Sequence, residues 1–240
     1  MGWRQLHRYL FQVLYPGPLL LAYCIVHTQR SGLYPIQQRP LPIAKEVSGI
    51  ILELPSDQSV LESSDFKSRG FRKGGRVAIV SSSLIRSQYL LDVYHRKDCL
   101  GSLQEYVAVD WNTTVYAVPD EVPTRLAAAA LMQGLTTLAQ LTEAYHVDKG
   151  DTVFIHTVAG GVGLLHAQLA KARGATVIGT TSTPDKAALA KAHGADHVIL
   201  YKQENTVERV LELTNGQGVN VIYDGIGRAT WVQPQQLESF

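Results

Sequence analysis

The sequence predicts an α/β protein, with a β-rich first part and a doubly wound parallel sheet in its second part. Three observations carry that reading. The chain changes character near Pro123, from short β-rich pieces between turn signals to a regular alternation of strand and helix. After that point, buried apolar runs recur at the spacing of crossover units. A glycine-rich stretch, Val158-Ala159-Gly160-Gly161-Val162-Gly163, follows the first of those runs at once.

The elements follow in order. Ahead of Pro123, Val47 to Leu52, Arg76 to Val80 and Tyr106 to Val109 read as short antiparallel strands, with Gly74-Gly75 punctuating the second. Beyond it, Thr124 is expected to cap a helix through Ala127–Ala130, Leu131 and Gln133, with a helical pattern running on to Tyr145. Thr152 to His156 reads as a buried strand, and Val162, Leu165 and Leu169 as the stripe of the next helix. Ala175 to Gly179 is a second strand. Thr183-Pro184 then supplies an N-cap and a first helical residue in the right order, and Gly194 stops that helix. His197 to Leu200 forms a third strand, Val207, Val210 and Leu211 line a third helix ending at Asn215-Gly216, and Val219 to Tyr223 is a fourth strand. Four strands joined by three crossover helices make a right-handed doubly wound sheet.

Composition narrows the class. With 240 residues, 45% apolar, 18% charged and a net charge of +1, the chain is neither a disordered polyelectrolyte nor a basic nucleic-acid binder. Cys24 and Cys99 lie in no CxxC or comparable ligand spacing, which excludes a disulfide framework and a structural zinc site. The expectation is a reducing, cytoplasmic setting. From Tyr9 to Gln29 no charged side chain occurs, and Arg4, His7 and Arg8 precede the stretch, as in a signal peptide or anchor. Pro16-Gly17-Pro18 interrupts the run, and Gln12, His27, Thr28 and Gln29 dilute it, so membrane association is not expected.

The chemistry centres on the glycine stretch. Gly160 and Gly163 occupy the second and third glycine positions of a dinucleotide fingerprint, where backbone N–H groups approach a pyrophosphate at a helix start. Val158 fills the first position, and a tight βα turn in any α/β protein could carry the same glycines. About 20 residues on, where an NAD site places an acid, stand Gly179-Thr180-Thr181-Ser182-Thr183. No carboxylate comes before Asp185, and Lys186 follows at once. Hydroxyls and a cation suit a 2′-phosphate, so NADP is favoured over NAD. The plainer alternative is that Thr183 only caps the helix and Lys186 is a solvated first-turn residue.

Taken together, Ala159 to Leu165, Gln133-Gly134-Leu135-Thr136, Gly194 to Ile199 and Val221 to Gly227 resemble the zinc-free quinone oxidoreductases. These form the zeta-crystallin-like branch of the medium-chain dehydrogenase/reductase superfamily. The likeness is continuous from about Pro119 to Trp231, and it reappears at Arg30 to Pro35, Glu46 to Leu52 and Gln104 to Val109. It implies a partial GroES-like β-rich domain over 30–123, with 84–100 as an insertion, and an incomplete NADP-binding Rossmann domain over 124–231. It also implies an NADPH-dependent reductase of quinones or α,β-unsaturated carbonyls. By resemblance, Ala159, Gly160, Gly161, Val162 and Gly163 cradle the pyrophosphate. Ser182 and Lys186 meet the 2′-phosphate, Tyr201 lies against the adenosine end, and Thr136 sits near the nicotinamide. On its own residues Tyr201 reads equally as an ordinary strand-end aromatic. Ala44-Lys45-Glu46 stands where zinc-dependent relatives carry Gly-His-Glu, so no metal is expected. His156 and His197 read as core or strand-end residues rather than catalysts. No catalytic acid or base is identified.

The resemblance also fails in places. Tyr23, Val26 and Thr28 stand where the family carries an active-site Asn, Asp and Tyr. Residues 1–29 read as an unrelated or gene-model segment, and 232–240 as an unrelated tail. Retained introns or frame errors would account for both ends and for 84–100. The expected consequence is a Rossmann sheet with an unpaired edge at its fourth strand, which also puts the family's homo-oligomer in doubt. Two functional readings follow, an NADPH-dependent quinone or enone reductase and a non-catalytic remnant that binds NADPH weakly or not at all.

Overall fold

The computed structural model describes residues 8–13, 46–80, 105–112, 115–227 and 230. The chain divides into two compact units, Met1–Met132 and Gln133–Phe240. Arg30 to Pro35, the 84–100 stretch, Ala44, Lys45 and the tail beyond 230 lie outside the described residues.

In the first unit five antiparallel strands form one sheet. They are β1 (Arg8–Val13), β2 (Glu46–Glu53), β3 (Arg76–Val80), β4 (Tyr106–Asp110) and β5 (Val115–Ala117), in the order β4-β1-β2-β3-β5. β1 belongs to the stretch that the sequence sets apart as 1–29, yet here it pairs with both β2 and β4. Residues 9–13 of the uncharged run are therefore extended. Gly74, at φ +77°, turns the chain so that its N–H reaches Ile51 O at 2.8 Å, and Ile51 N–H returns to Gly75 O at 2.9 Å.

Two helices missing from the sequence reading lie between β2 and β3. α1 (Gln58–Glu62) is capped by Asp57, which accepts from Ser59 N, and α2 (Ser64–Ser68) by Ser63, which accepts from Phe66 N. They bring Val60 and Phe66 onto Val47, Ile51, Val77, Ile79 and Val115. Phe66 meets Phe71 and Trp111 edge-on at 5.9 and 5.6 Å. Burying an apolar side chain of this size contributes roughly 1.5–3 kcal/mol.

α3 (Thr124–Ala139) begins one residue earlier than expected. Pro123 O accepts from Leu126 and Ala127, so Thr124 lies inside the first turn instead of capping it. The boundary between the two compact units falls within this helix. A π-helical turn, Gln140–Ala144, continues it.

The second unit holds a four-stranded parallel sheet of β6 (Thr152–Ile155), β7 (Thr176–Thr181), β8 (His197–Leu200) and β9 (Val221–Tyr223), ordered β8-β7-β6-β9. Its crossovers are α4 (Gly161–Ala172), α5 (Pro184–Ala192) and α6 (Thr206–Leu213). Alternate strand residues separate cleanly into two layers. Val153, Ile155 and Val177 pack with Ala167, Ala170 and Ala190 of α4 and α5. Phe154, Ile178 and Ile199 pack with Val210 of α6. The chain thus reverses its winding between β6 and β9, and at such a switch point open α/β sheets bind ligands. Among the described residues β9 pairs with β6 alone.

One helix face differs from expectation. Gly163, His166, Ala167 and Ala170, not Val162, Leu165 and Leu169, form the buried stripe of α4, and Leu169 is 37% exposed. Small residues at that spacing let the helix axis approach the sheet closely. Below β8, Asp196 ties the layers together. Its N–H donates to Val177 O and its Oδ2 accepts from Val177 N–H, both at 2.9 Å, while Oδ1 takes Lys171 Nζ at 2.5 Å. Burial would raise this carboxyl, but Lys171 and the Val177 amide hold it below the usual carboxylate range.

Candidate functional site

The carboxyl ends of β6, β7 and β8 carry most of the sequence-predicted site. After β6 the chain turns through His156 and Thr157 into the glycine loop. Gly160 is the N-cap of α4, and no side chain caps it, so the first-turn amides point outward without a capping partner. Uncapped amides and the positive end of the helix dipole suit an anion.

Two of the loop's three glycines, Gly160 and Gly163, have a backbone reason to be glycine. A Cβ on Gly163 would stand 2.4 Å from Thr157 O and 2.8 Å from Val158 Cα, and one on Gly160 3.1 Å from Thr157 O. Thr157 O also accepts from Gly160 N at 2.8 Å, which closes the turn. Val158, at the first fingerprint position, is fully buried and anchored by its N–H to Thr180 O at 3.0 Å. Its side chain takes up the room that Gly179 leaves on β7. A valine is therefore tolerated where the fingerprint has glycine, because the second strand supplies the missing one.

Ser182 directly follows β7 and is half-buried. Thr183 caps α5 through Lys186 N, at 3.4 Å, and Lys186 stands exposed in the first turn. Tyr201 directly follows β8 and is 48% exposed. Ala159, Gly160, Gly161, Val162, Gly163, Ser182, Lys186 and Tyr201 thus gather at one edge of the parallel sheet. Thr136 is carried by α3 with an exposed side chain, not by a strand end.

Three further groups lie outside the predicted coenzyme contacts, one of them the His156 that the sequence reads as a core or strand-end residue. His156 is 4% exposed, meets Phe154 edge-on at 4.8 Å, and places Nδ1 3.3 Å from Thr180 Oγ1. Its Nε2 has no hydrogen-bond partner among the described residues. Burial lowers its pKa, and the Asp224 carboxylate partly opposes this. Asp224 follows β9 and accepts from Ile226 N at 2.7 Å, Gly227 N at 3.2 Å and Thr230 Oγ1 at 2.6 Å. Although burial would raise its carboxyl, these bonds hold it low. Glu46, the last residue of the Ala44-Lys45-Glu46 triplet, accepts from the mid-helix Met132 N at 2.9 Å. Burial raises its pKa, and the Met132 and Leu131 amides oppose that. No signal in the sequence points to such a partner, because a helix interior ordinarily has no free amides.

Among the described residues no group of three or more His, Cys, Asp or Glu side chains could hold a metal ion. No helix among them is long and apolar enough to cross a membrane.

Comparison with known proteins bears on the same region. Residues 161–237 match the family model described as zinc-binding dehydrogenase. A quinone oxidoreductase of Pseudomonas aeruginosa is 36% identical over 202 residues, which make up 84% of this chain and 54% of that protein. A 2-haloacrylate reductase from Burkholderia is 43% identical over 103 residues, 43% of this chain and 31% of that one. The solved structure of Escherichia coli quinone oxidoreductase complexed with NADPH superposes with a TM-score of 0.77 at 29% identity. It covers 97% of this chain and 62% of its own. The chain spans about half the length of the curated quinone oxidoreductases it matches.

Proposed function

Because the chain belongs to the quinone oxidoreductase branch of the medium-chain dehydrogenase/reductase superfamily, we propose that it binds NADPH at the carboxyl ends of β6, β7 and β8 and reduces quinones without zinc. The observation that carries this reading is the uncapped start of α4 beside a β7–α5 loop with hydroxyls, a lysine and no acid before Asp185.

In this reading the amides of Gly161, Val162 and Gly163 receive the pyrophosphate, and the closed Thr157–Gly160 turn keeps them aligned. Ala159 and Gly160 leave the approach free of side-chain bulk. Ser182 and Lys186 recognise the 2′-phosphate, Ser182 by donating a hydrogen bond and Lys186 by charge. Tyr201 covers the adenosine end, and Thr136 lines the nicotinamide side. The bound coenzyme supplies a hydride to the acceptor. The proton that completes reduction has no assigned donor among these residues, and solvent is a sufficient source.

The likeness to a protein named 2-haloacrylate reductase supports α,β-unsaturated carbonyls as a second acceptor class. Tyr23, Val26 and Thr28, standing where the family carries Asn, Asp and Tyr, favour the alternative of a non-catalytic remnant that binds NADPH weakly or not at all. The setting is cytoplasmic, and no nucleic-acid or membrane partner enters this reading.

The test is a fluorescence titration of the purified chain with NADPH, with NADH as control, followed by a quinone turnover assay. Saturable binding that prefers NADPH supports the coenzyme reading, and turnover then separates enzyme from remnant. A folded chain that binds neither coenzyme refutes it.

A further inference from the structure

Thr157 holds a backbone conformation that its residue type disfavours. Its φ is +55°, in the left-handed region, where a β-branched side chain crowds the neighbouring carbonyl. The only other non-glycine residue there, among those described, is Asn215, just past the end of α6, where an Asn is at home.

The conformation itself is needed. It turns the chain off β6 so that Val158 N returns to Thr180 O at 3.0 Å, and it aims Thr157 O at Gly160 N, 2.8 Å away. Gly or Asn would supply the same turn at lower cost. Packing gives no reason for threonine either, because the side chain is exposed. What threonine adds is an exposed hydroxyl in the loop before α4, with Oγ1 3.9 Å from where a Cβ on Gly160 would stand. A residue type ill suited to a required backbone conformation is characteristically kept where its side chain meets a ligand.

We infer that the Thr157 hydroxyl donates a hydrogen bond to the pyrophosphate of the bound dinucleotide, making Thr157 a coenzyme-binding residue outside the glycine fingerprint. This rests on the coenzyme reading above and adds a contact that the fingerprint does not include.

The test uses the full chain and its Thr157→Ala, Thr157→Ser and Thr157→Gly variants. Each is titrated with NADPH and NADH and melted without coenzyme. Thr157→Ser keeps the hydroxyl and is expected to bind as the wild type does. Thr157→Ala is expected to bind both coenzymes about tenfold more weakly, since the pyrophosphate is common to them. Thr157→Gly is expected to melt higher than the wild type while binding more weakly. Wild-type affinity in Thr157→Ala, or a loss confined to NADPH, overturns the inference, and so does a lower melting temperature in Thr157→Gly. If the wild type binds neither coenzyme, the coenzyme reading falls and takes this inference with it. Binding by the wild type with no effect of Thr157→Ala sinks the inference alone.

Discussion

Val158, in the loop after β6, and Gly179 of β7 are a matched pair. A Cβ on Gly179 would stand 2.4 Å from Val158 Cβ and within 2.8 Å of both its methyl groups. Gly179→Ala is therefore expected to cost about 1–3 kcal/mol, read by urea unfolding. In a Val158→Gly background the same change should cost less, because the opposing atoms are gone. Equal costs in the two backgrounds would show that the contact is not what excludes a side chain.

Gly163 and Gly134 make opposite predictions for one substitution. At Gly163 the new methyl meets backbone, at 2.4 Å from Thr157 O, so Gly163→Ala should lower stability and abolish saturable NADPH binding. Gly134 lies in α3 with open space around its Cβ position. Gly134→Ala is expected to stabilise by about 0.5–1 kcal/mol, visible as a higher melting temperature.

His166 links stability to pH. Its ring stacks on Tyr223 at 4.5 Å, and Nδ1–H donates to Val162 O at 3.1 Å. Burial pushes its pKa below the ordinary value, with the Val162 bond opposing, and burial likewise pushes the Tyr223 phenol up to about 12. The unfolded chain takes up a proton below the ordinary histidine pKa and the folded chain resists it. Stability is thus full above that pKa and falls as pH drops toward the lowered folded value. Melting temperatures should decline between about pH 7.5 and 5, and less steeply in His166→Leu. Parallel declines would remove His166 from the account.

Lys186→Ala and Ser182→Ala separate the two coenzymes. Each is expected to weaken NADPH binding about tenfold and leave NADH binding unchanged. A uniform effect on both would make Lys186 the solvated first-turn residue of the plainer reading.

Much of the second unit was legible because its signals are local. Thr183-Pro184 opens α5 and Gly194, at φ +104°, ends the turn that follows it. The apolar runs of β6 to β9 need no distant partner to be recognised. Other features depend on residues far apart in sequence. Glu46 meets Met132 across 86 positions, and Val158 is explained only by Gly179 on the next strand. The stripe of α4 was misread because large residues outweigh small ones in a hydrophobicity pattern. Yet close packing put Ala167 and Ala170 against the sheet and left Leu169 outside. β1 was obscured by the uncharged run that begins at its second residue, Tyr9, which has the composition of a membrane segment and no clean alternation.

The double link between Asp196 and Val177 also bears on how the sheet assembles. Parallel strands joined by long crossovers can pair in shifted alignments before the correct one is found. Sliding β8 by one residue would turn Ile199 from the layer it shares with Phe154, Ile178 and Val210 to the face packed by α4 and α5. It would also carry the Asp196 carboxylate away from the Val177 amide and strand a charge at the sheet margin. The carboxylate is therefore expected to favour a single alignment of β7 and β8 over its near misses.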